Sequence, residues 1–213
     1  MLLFSGRLSP EKRPHLAVDV LAELRAEGHD VHLLIVGGGP LSQDTLQRAH
    51  AAGVGDRCKL LGELDEYTLR HVYAAADVLL APSTIEGISR SVYEAMSMAC
   101  VPVVSDVGGQ RELVAPGTGS LVPADGDDAA PYLEATRAWL DPDARRQAGA
   151  AARARIVARF DSGETVRSIT AALARARVRR RVRQAVVPAP IADSLAVLSL
   201  ELTRRHVMRA MGC

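Results

Sequence analysis

Aromatic residues are scarce. Two Phe, four Tyr and one Trp make up 3% of the 213 residues, so any core must come from other apolar side chains. With 48% hydrophobic residues, the chain has the Leu, Val, Ile and Ala to build one, and Ala-rich helices on Val/Leu strands suit an α/β fold. Cysteine is scarce too. Cys58, Cys100 and Cys213 show neither disulfide-framework nor metal-ligand spacing; Cys58 and Cys100 lie in or beside apolar runs and read as small buried residues. This usage, with no signal peptide, points to the cytoplasm. No apolar run is long enough to span a bilayer. The length suffices for one α/β domain with an appendage and is too short for two full doubly wound domains. The chain opens inside an apolar run, Met1-Leu2-Leu3-Phe4-Ser5, and the expectation is a truncated or split chain.

An excess of either charge is also missing, but the net +1 hides an asymmetry. Residues 1–174 carry 17 basic and 23 acidic side chains; residues 175–213 carry 9 and 2. The body therefore does not read as a nucleic-acid binder, and the basic tail lacks the aromatics that stack on bases. No nucleic-acid partner is expected.

What is present is alternation. Short apolar runs at Leu2–Ser5, Val31–Val36, Cys58–Leu61, Val78–Ala81, Val101–Ser105 and Ser120–Val122 are continuous, as strands buried on both faces require. Helical patterns separate them at Pro14–Glu27, Leu41–Ala52, Tyr67–Ala76, Ser91–Ala99 and Gln110–Val114. The spacing predicts a parallel sheet with helices on both faces. After Val122 the pattern is helical: Asp128–Leu140, then Pro142–Phe160, then Gly163 to about Val186.

In such sheets ligands sit beyond the carboxyl ends of the strands, and four segments there carry chemistry. Gly6-Arg7-Leu8-Ser9-Pro10-Glu11-Lys12 offers two cations on a turn, suited to neutralising a diphosphate. Val36-Gly37-Gly38-Gly39-Pro40 lets backbone approach a ligand closely. Pro82-Ser83-Thr84-Ile85-Glu86-Gly87-Ile88-Ser89-Arg90-Ser91-Val92-Tyr93-Glu94 places two glutamates eight residues apart across a loop-to-helix bend, and carboxylates accept from paired sugar hydroxyls. Asp106-Val107-Gly108-Gly109 opens another helix with free backbone N–H groups. Each segment taken singly also fits an ordinary feature: solvated charges, a tight turn, or an exposed helix carboxylate. A nicotinamide-binding domain would carry a glycine fingerprint after the first strand, which Gly6-Arg7-Leu8 does not supply.

Taken in order, Gly-Arg-x4-Lys, Val-Gly-Gly-Gly-Pro, Pro-Ser-x2-Glu-Gly-x6-Glu-Ala-Met, Pro-Val-Val-x-Ser-Asp-Val-Gly-Gly-x2-Glu and Gly-Ser-Leu-Val resemble the C-terminal, donor-binding domain of the retaining glycosyltransferases with the GT-B fold (group 1, or family 4), over roughly residues 2–160. The resemblance implies a Rossmann-like three-layer α/β domain with a parallel sheet over residues 1–160, one half of a GT-B fold. A helical C-terminal extension would follow, with a helix over 161–186 that in related enzymes recrosses the interdomain cleft. A basic amphipathic, partly disordered tail would occupy 187–213. By position, Arg7 and Lys12 would bind the donor diphosphate and stabilise the leaving group, and Glu86 would bind a hydroxyl of the transferred sugar; these three form the catalytic set. Glu94 would bind the ribose hydroxyls, and Gly87, Ile88 and Ser89 would lie near sugar and phosphates. Gly6, Gly38, Gly108 and Gly109 complete the donor-binding set. The donor would be a UDP- or GDP-sugar, with no cofactor and no donor-site metal.

The sequence departs from the family pattern in three ways. Ile88-Ser89 stands where Phe-Gly is common, which bears on sugar preference. Cys100 stands where Gly usually precedes the Val-Pro-Val-Val strand, acceptable if that backbone does not need positive φ. The acceptor domain is missing from these residues, so donor binding is expected ahead of catalysis by this chain alone. The alternative is a non-catalytic nucleotide-sugar-binding module working with a separate acceptor-domain subunit. An unpaired interdomain face would also favour homo-oligomers. In the tail, Arg175, Arg177, Arg179, Arg180, Arg181 and Arg183 precede an amphipathic stretch, Ile191–Met211. It reads either as a solvated tail or as a peripheral contact with an anionic membrane surface.

Overall fold

The computed structural model describes residues 1–160, 163 and 166–175. It divides into two compact units, Met1–Asp161 and Ser162–Cys213. In the second, residues 163 and 166–175 are helical. The arginines beyond Arg175 and the Ile191–Met211 stretch lie outside the described residues.

The first unit holds one parallel sheet. Its strands are β1 (Leu2–Ser5), β2 (Leu33–Val36), β3 (Cys58–Gly62), β4 (Val78–Ala81), β5 (Val101–Ser105) and β6 (Ser120–Val122), in the order β3-β2-β1-β4-β5-β6. This is the doubly wound, Rossmann-like arrangement expected from the alternation. The second strand begins two residues later than its apolar run, because Val31 N donates to His29 O in a tight turn that keeps it out of the ladder.

Continuous apolar runs serve both faces because side chains alternate along a strand. Leu2 and Phe4 of β1, Leu33 and Ile35 of β2, and Val78 and Leu80 of β4 pack on one face. Against them lie α1 (Pro14–Ala26) through Leu16, Val20, Leu21 and Leu24, and α6 (Ala130–Arg137) through Tyr132 and Leu133, with Ala49 of α2 (Ser42–Ala51) at the margin. Leu3, Leu79, Ala81 and Val104 point the other way, toward Tyr73 of α3 (Glu66–Ala75), Val92, Ala95 and Met96 of α4 (Arg90–Ser97), Leu113 of α5 (Gln110–Leu113), and Ala152 and Ile156 of α7 (Pro142–Arg159). Each such buried aliphatic side chain contributes about 1.5–3 kcal/mol relative to exposure.

Helix ends follow local chemistry. Asp65 accepts from Thr68 N at 2.9 Å and starts α3; Asp141 accepts from Ala144 N at 2.8 Å and starts α7. α6 is shorter than its sequence pattern. Asp128 folds back to accept from Ala130 N, and i→i+3 bonds from Trp139 N and Leu140 N turn the chain out after Arg137. The turn before β5 places its left-handed residue at Ala99 (φ 63) rather than at Cys100, which is fully buried at the strand entrance. Cysteine in place of glycine therefore costs no backbone strain there, and burial pushes its thiol up.

β1 and β4 lie side by side at the centre; the chain leaves β1 toward β2 on one flank and leaves β4 toward β5 on the other. The loops leaving β1 and β4 diverge, and a crevice opens at their carboxyl ends.

Candidate functional site

The crevice is a cavity of about 470 Å³, within the usual size of small-molecule sites. The loop after β1 forms one wall. Gly6 N donates to Val36 O and Leu8 N to Gly38 O, tying this loop to the one after β2. Gly37 permits the approach. Its φ is 117°, and a Cβ there would stand 2.0 Å from Gly6 O. The chain then makes one 3-10 turn, Pro10–Lys12, which aims Lys12 across the crevice. Arg7 projects from the same loop and is exposed, and its guanidinium has no hydrogen bond or ion pair among the described residues.

The loop after β4 forms the facing wall. Glu86 Oε1 accepts from Lys12 Nζ at 2.5 Å and from Ser83 Oγ at 3.0 Å. The ion pair is sheltered, with side chains 26% and 11% exposed for Lys12 and Glu86. Removing either partner would leave a charge with reduced access to water. Thr84 N donates to Glu11 O at 2.8 Å, so the two walls are also joined through backbone. Ser9 Oγ donates to the Glu11 carboxylate, and this bond, with Arg7 and Lys12 nearby, holds the Glu11 carboxyl below the usual range.

Glu94 lies one turn into α4 at the other end of the cavity. Arg90 Nε is 3.3 Å from its Oε1, and Arg90 itself is 87% exposed. Behind Glu94, the Tyr73 hydroxyl bonds Ser5 Oγ at 2.8 Å. Burial, reinforced by the Glu94 carboxylate, pushes the Tyr73 phenol above its ordinary range, so it remains a neutral hydrogen-bonding group. Leu64 and Leu69 give this end an apolar wall.

Of the residues singled out from the sequence, Gly6, Arg7, Lys12, Glu86, Ile88, Ser89 and Glu94 line this one cavity. The others stand just behind it. Gly38 contributes its carbonyl to Leu8 N, Gly87 O accepts from Gly109 N at 2.7 Å, and Gly108 packs beneath Glu86, where a Cβ would lie 1.9 Å from Glu86 O. Asp106 turns instead to Arg111, whose guanidinium holds its carboxyl below the usual range. Sequence reasoning quoted Gly37 and Ser83 within their segments and passed over Glu63, Leu64, Leu69 and Tyr73 of the lining. Glu63 and Leu64 follow a strand end, as the four quoted segments do, so the same rule would have found them. Tyr73 gave no local signal, because its role depends on Ser5 and Glu94 from other elements. Among the described residues, no group of three or more His, Cys, Asp or Glu side chains is placed to hold a metal ion, and no helix is long and apolar enough to cross a membrane.

Comparison with known proteins converges on this site's fold. Residues 1–155 match the model of the family described as glycosyl transferases group 1. The chain is 38% identical over 154 residues to 2-deoxystreptamine glucosyltransferase of Streptomyces kanamyceticus, covering 64% of this chain and 40% of that protein. It is 36% identical over 157 residues to the GDP-mannose-dependent alpha-mannosyltransferase of Mycolicibacterium smegmatis, covering 73% and 38%. It also superposes on Anabaena Alr3699/HepE, solved in complex with UDP, with a TM-score of 0.70 and 26% identity over 81% of this chain and 48% of that one. The chain thus spans about two fifths of the length of these curated relatives.

Proposed function

Since the chain belongs to the group 1 glycosyl transferases, we propose that it carries the donor site, in the C-terminal position, of a retaining family 4 enzyme that transfers a sugar from a nucleoside diphosphate. One observation carries the reading: Lys12, Arg7, Glu86 and Glu94, drawn from three separate elements, meet at one cavity at the carboxyl end of the sheet. Two cations and two carboxylates lining one cavity suit a ligand that carries both anionic groups and hydroxyls.

In this reading Arg7 and Lys12 hold the diphosphate and offset the charge that develops on it as the glycosidic bond breaks. Two such cations do there what a divalent ion does elsewhere, and no metal is assigned. Glu94 accepts from the ribose hydroxyls, with the base against Leu64 and Leu69. Glu86 accepts from a hydroxyl of the transferred sugar once the diphosphate has drawn Lys12 away. The backbone of Gly87, Ile88 and Ser89 borders the sugar. The relatives named above include one that uses GDP-mannose and one solved with UDP, and both nucleotides are candidates here. The acceptor and the completed cleft belong to residues beyond this domain.

The test is a calorimetric titration with UDP, GDP and their sugar conjugates, first with a chelator and then with added magnesium. Binding is expected with the chelator present, and Arg7→Ala, Lys12→Ala and Glu94→Ala should each weaken it, while Glu86→Gln should weaken the sugar conjugates alone. Binding that appears only with magnesium would overturn the two-cation assignment. Four substitutions without effect would remove the site.

A further inference from the structure

Arg13 follows Lys12 directly, yet its environment is the opposite. It is 4% exposed, and its backbone is left-handed (φ 48, ψ 53), one of two non-glycine residues in that region among those described. Among the described residues its guanidinium has no carboxylate partner. Instead Nε donates to Pro82 O at 2.5 Å, Nη1 to Gly126 O at 2.5 Å, and Nη2 to Tyr132 Oη at 2.9 Å and Ser105 Oγ at 3.5 Å. Ser105 and Tyr132 bond each other at 2.7 Å, closing a network. A buried cation satisfied only by neutral acceptors is costly, and a bulky residue at positive φ adds to the cost. The capping position itself needs no such residue, since Arg13 makes no side-chain cap to α1.

The geometry explains why the arrangement is worth keeping. Residues 11, 12 and 13 each reach across to the loop after β4: Glu11 O to Thr84 N, Lys12 Nζ to Glu86 Oε1, and Arg13 Nε to Pro82 O. Only the last contact is also anchored to β5, α6 and the loop after β6, through Ser105, Tyr132 and Gly126. The first two involve partly exposed groups on the crevice walls and have no such anchor.

We infer that Arg13 is a positioning residue: its guanidinium fixes the loops after β1 and β4 against the sheet, so that Lys12 and Glu86 stand opposite each other across the crevice. Its consequence for ligands rests on the donor-site reading above; its effect on Lys12 does not.

The chain has two lysines, Lys12 and Lys59, and Lys59 is exposed. Reductive ¹³C-methylation therefore gives an NMR signal for Lys12 that Lys12→Arg identifies and Lys59 references. In the unmutated protein the Lys12 methyl signal should be displaced from that of Lys59. In Arg13→Gly, which relieves the backbone while deleting the guanidinium, it should move to the Lys59 position, with the circular dichroism of the folded protein retained. UDP or GDP affinity should fall at least about tenfold, and Lys12→Ala should cost several-fold less in the Arg13→Gly background than in the unmutated protein, because coupled residues are not additive. An unmoved Lys12 signal in folded Arg13→Gly, or additive losses, would overturn the inference. Should Arg13→Gly fail to fold, Arg13→Lys, which keeps the charge but not the fork of donors, answers the same question by the same signal. If the unmutated chain binds neither nucleotide, the donor-site reading fails, and the methyl signal alone still decides the role of Arg13.

Discussion

Lys12→Ala should cost far more nucleotide affinity than Arg7→Ala, although both cations sit on one loop. Arg7 is exposed and unpartnered among the described residues. Its contact with a phosphate is open to water and salt, and losing it should cost about 0.5–1.5 kcal/mol, roughly twofold to twelvefold in Kd. Lys12 makes a sheltered contact, about 1.5–3 kcal/mol for a charge-assisted bond. Its removal also leaves the Glu86 carboxylate, 11% exposed, facing the phosphates without its 2.5 Å partner. A like charge about 5 Å away at an effective dielectric constant of about 20 adds about 3 kcal/mol of repulsion before relaxation. With relaxation and solvent screening reducing the repulsion, the total is about 2–5 kcal/mol, a loss of roughly thirtyfold to several thousandfold. If repulsion is the reason, Glu86→Gln in the Lys12→Ala background should recover at least about tenfold, since neutralising the carboxylate removes that repulsion. The assay is calorimetry with UDP and GDP at fixed ionic strength. Sugar-free nucleotides keep any contact of Glu86 with the transferred sugar out of the measurement. Equal losses for the two cations, or no recovery in the double variant, would refute the electrostatic account of the crevice.

Gly37→Ala should destabilise the fold by about 3 kcal/mol, because the new Cβ meets Gly6 O at a backbone contact that cannot yield; a urea melt reads this. Gly108→Ala strikes Glu86 O instead, and nucleotide-sugar binding should weaken more than the melting temperature falls. Asp65→Ala should destabilise the protein through the lost cap of α3. Because the Thr68 backbone N–H holds the Asp65 carboxyl below its ordinary value, that contribution is complete above the ordinary carboxylate range and is lost as pH falls through the depressed value. Thermal melts of both proteins from pH 7 to pH 3 should therefore converge. Burial pushes the Cys58 thiol up to about 11. Its stabilising contribution is complete below its ordinary value near 9 and is lost as pH rises toward 11. Peptide mapping after alkylation at pH 8 should find Cys58 unlabelled in the folded protein and labelled in urea.

Much of this molecule is legible locally. The four central strands, β2, β1, β4 and β5, were marked by apolar runs because both their faces are buried; the edge strands β3, with the exposed Lys59, and β6 were marked less clearly. The loops at the strand ends were marked by glycine, proline and isolated charge. The order of motifs, which resembles the family pattern, draws Lys12, Glu86 and Glu94 together. Helix ends were less legible: α6 stopped early because Asp128 and two i→i+3 bonds intervened, a competition no hydrophobic pattern displays.

What the sequence could not decide was which charges face each other and which are buried. Glu11, Lys12 and Arg13 form one polar run with nothing local to tell them apart. Folding sends them to three fates: Glu11 to the surface, Lys12 to the crevice wall and Arg13 into the interior. Lys12 finds Glu86 74 residues away, and Arg13 finds Gly126 and Tyr132 more than a hundred residues on. Those meetings exist only because β1 lies beside β4 and β4 beside β5. Strand order is set by the packing of whole helices on the sheet. A residue's own neighbours in sequence determine its conformation, but the burial of its charge depends on which distant acceptors the fold delivers to it.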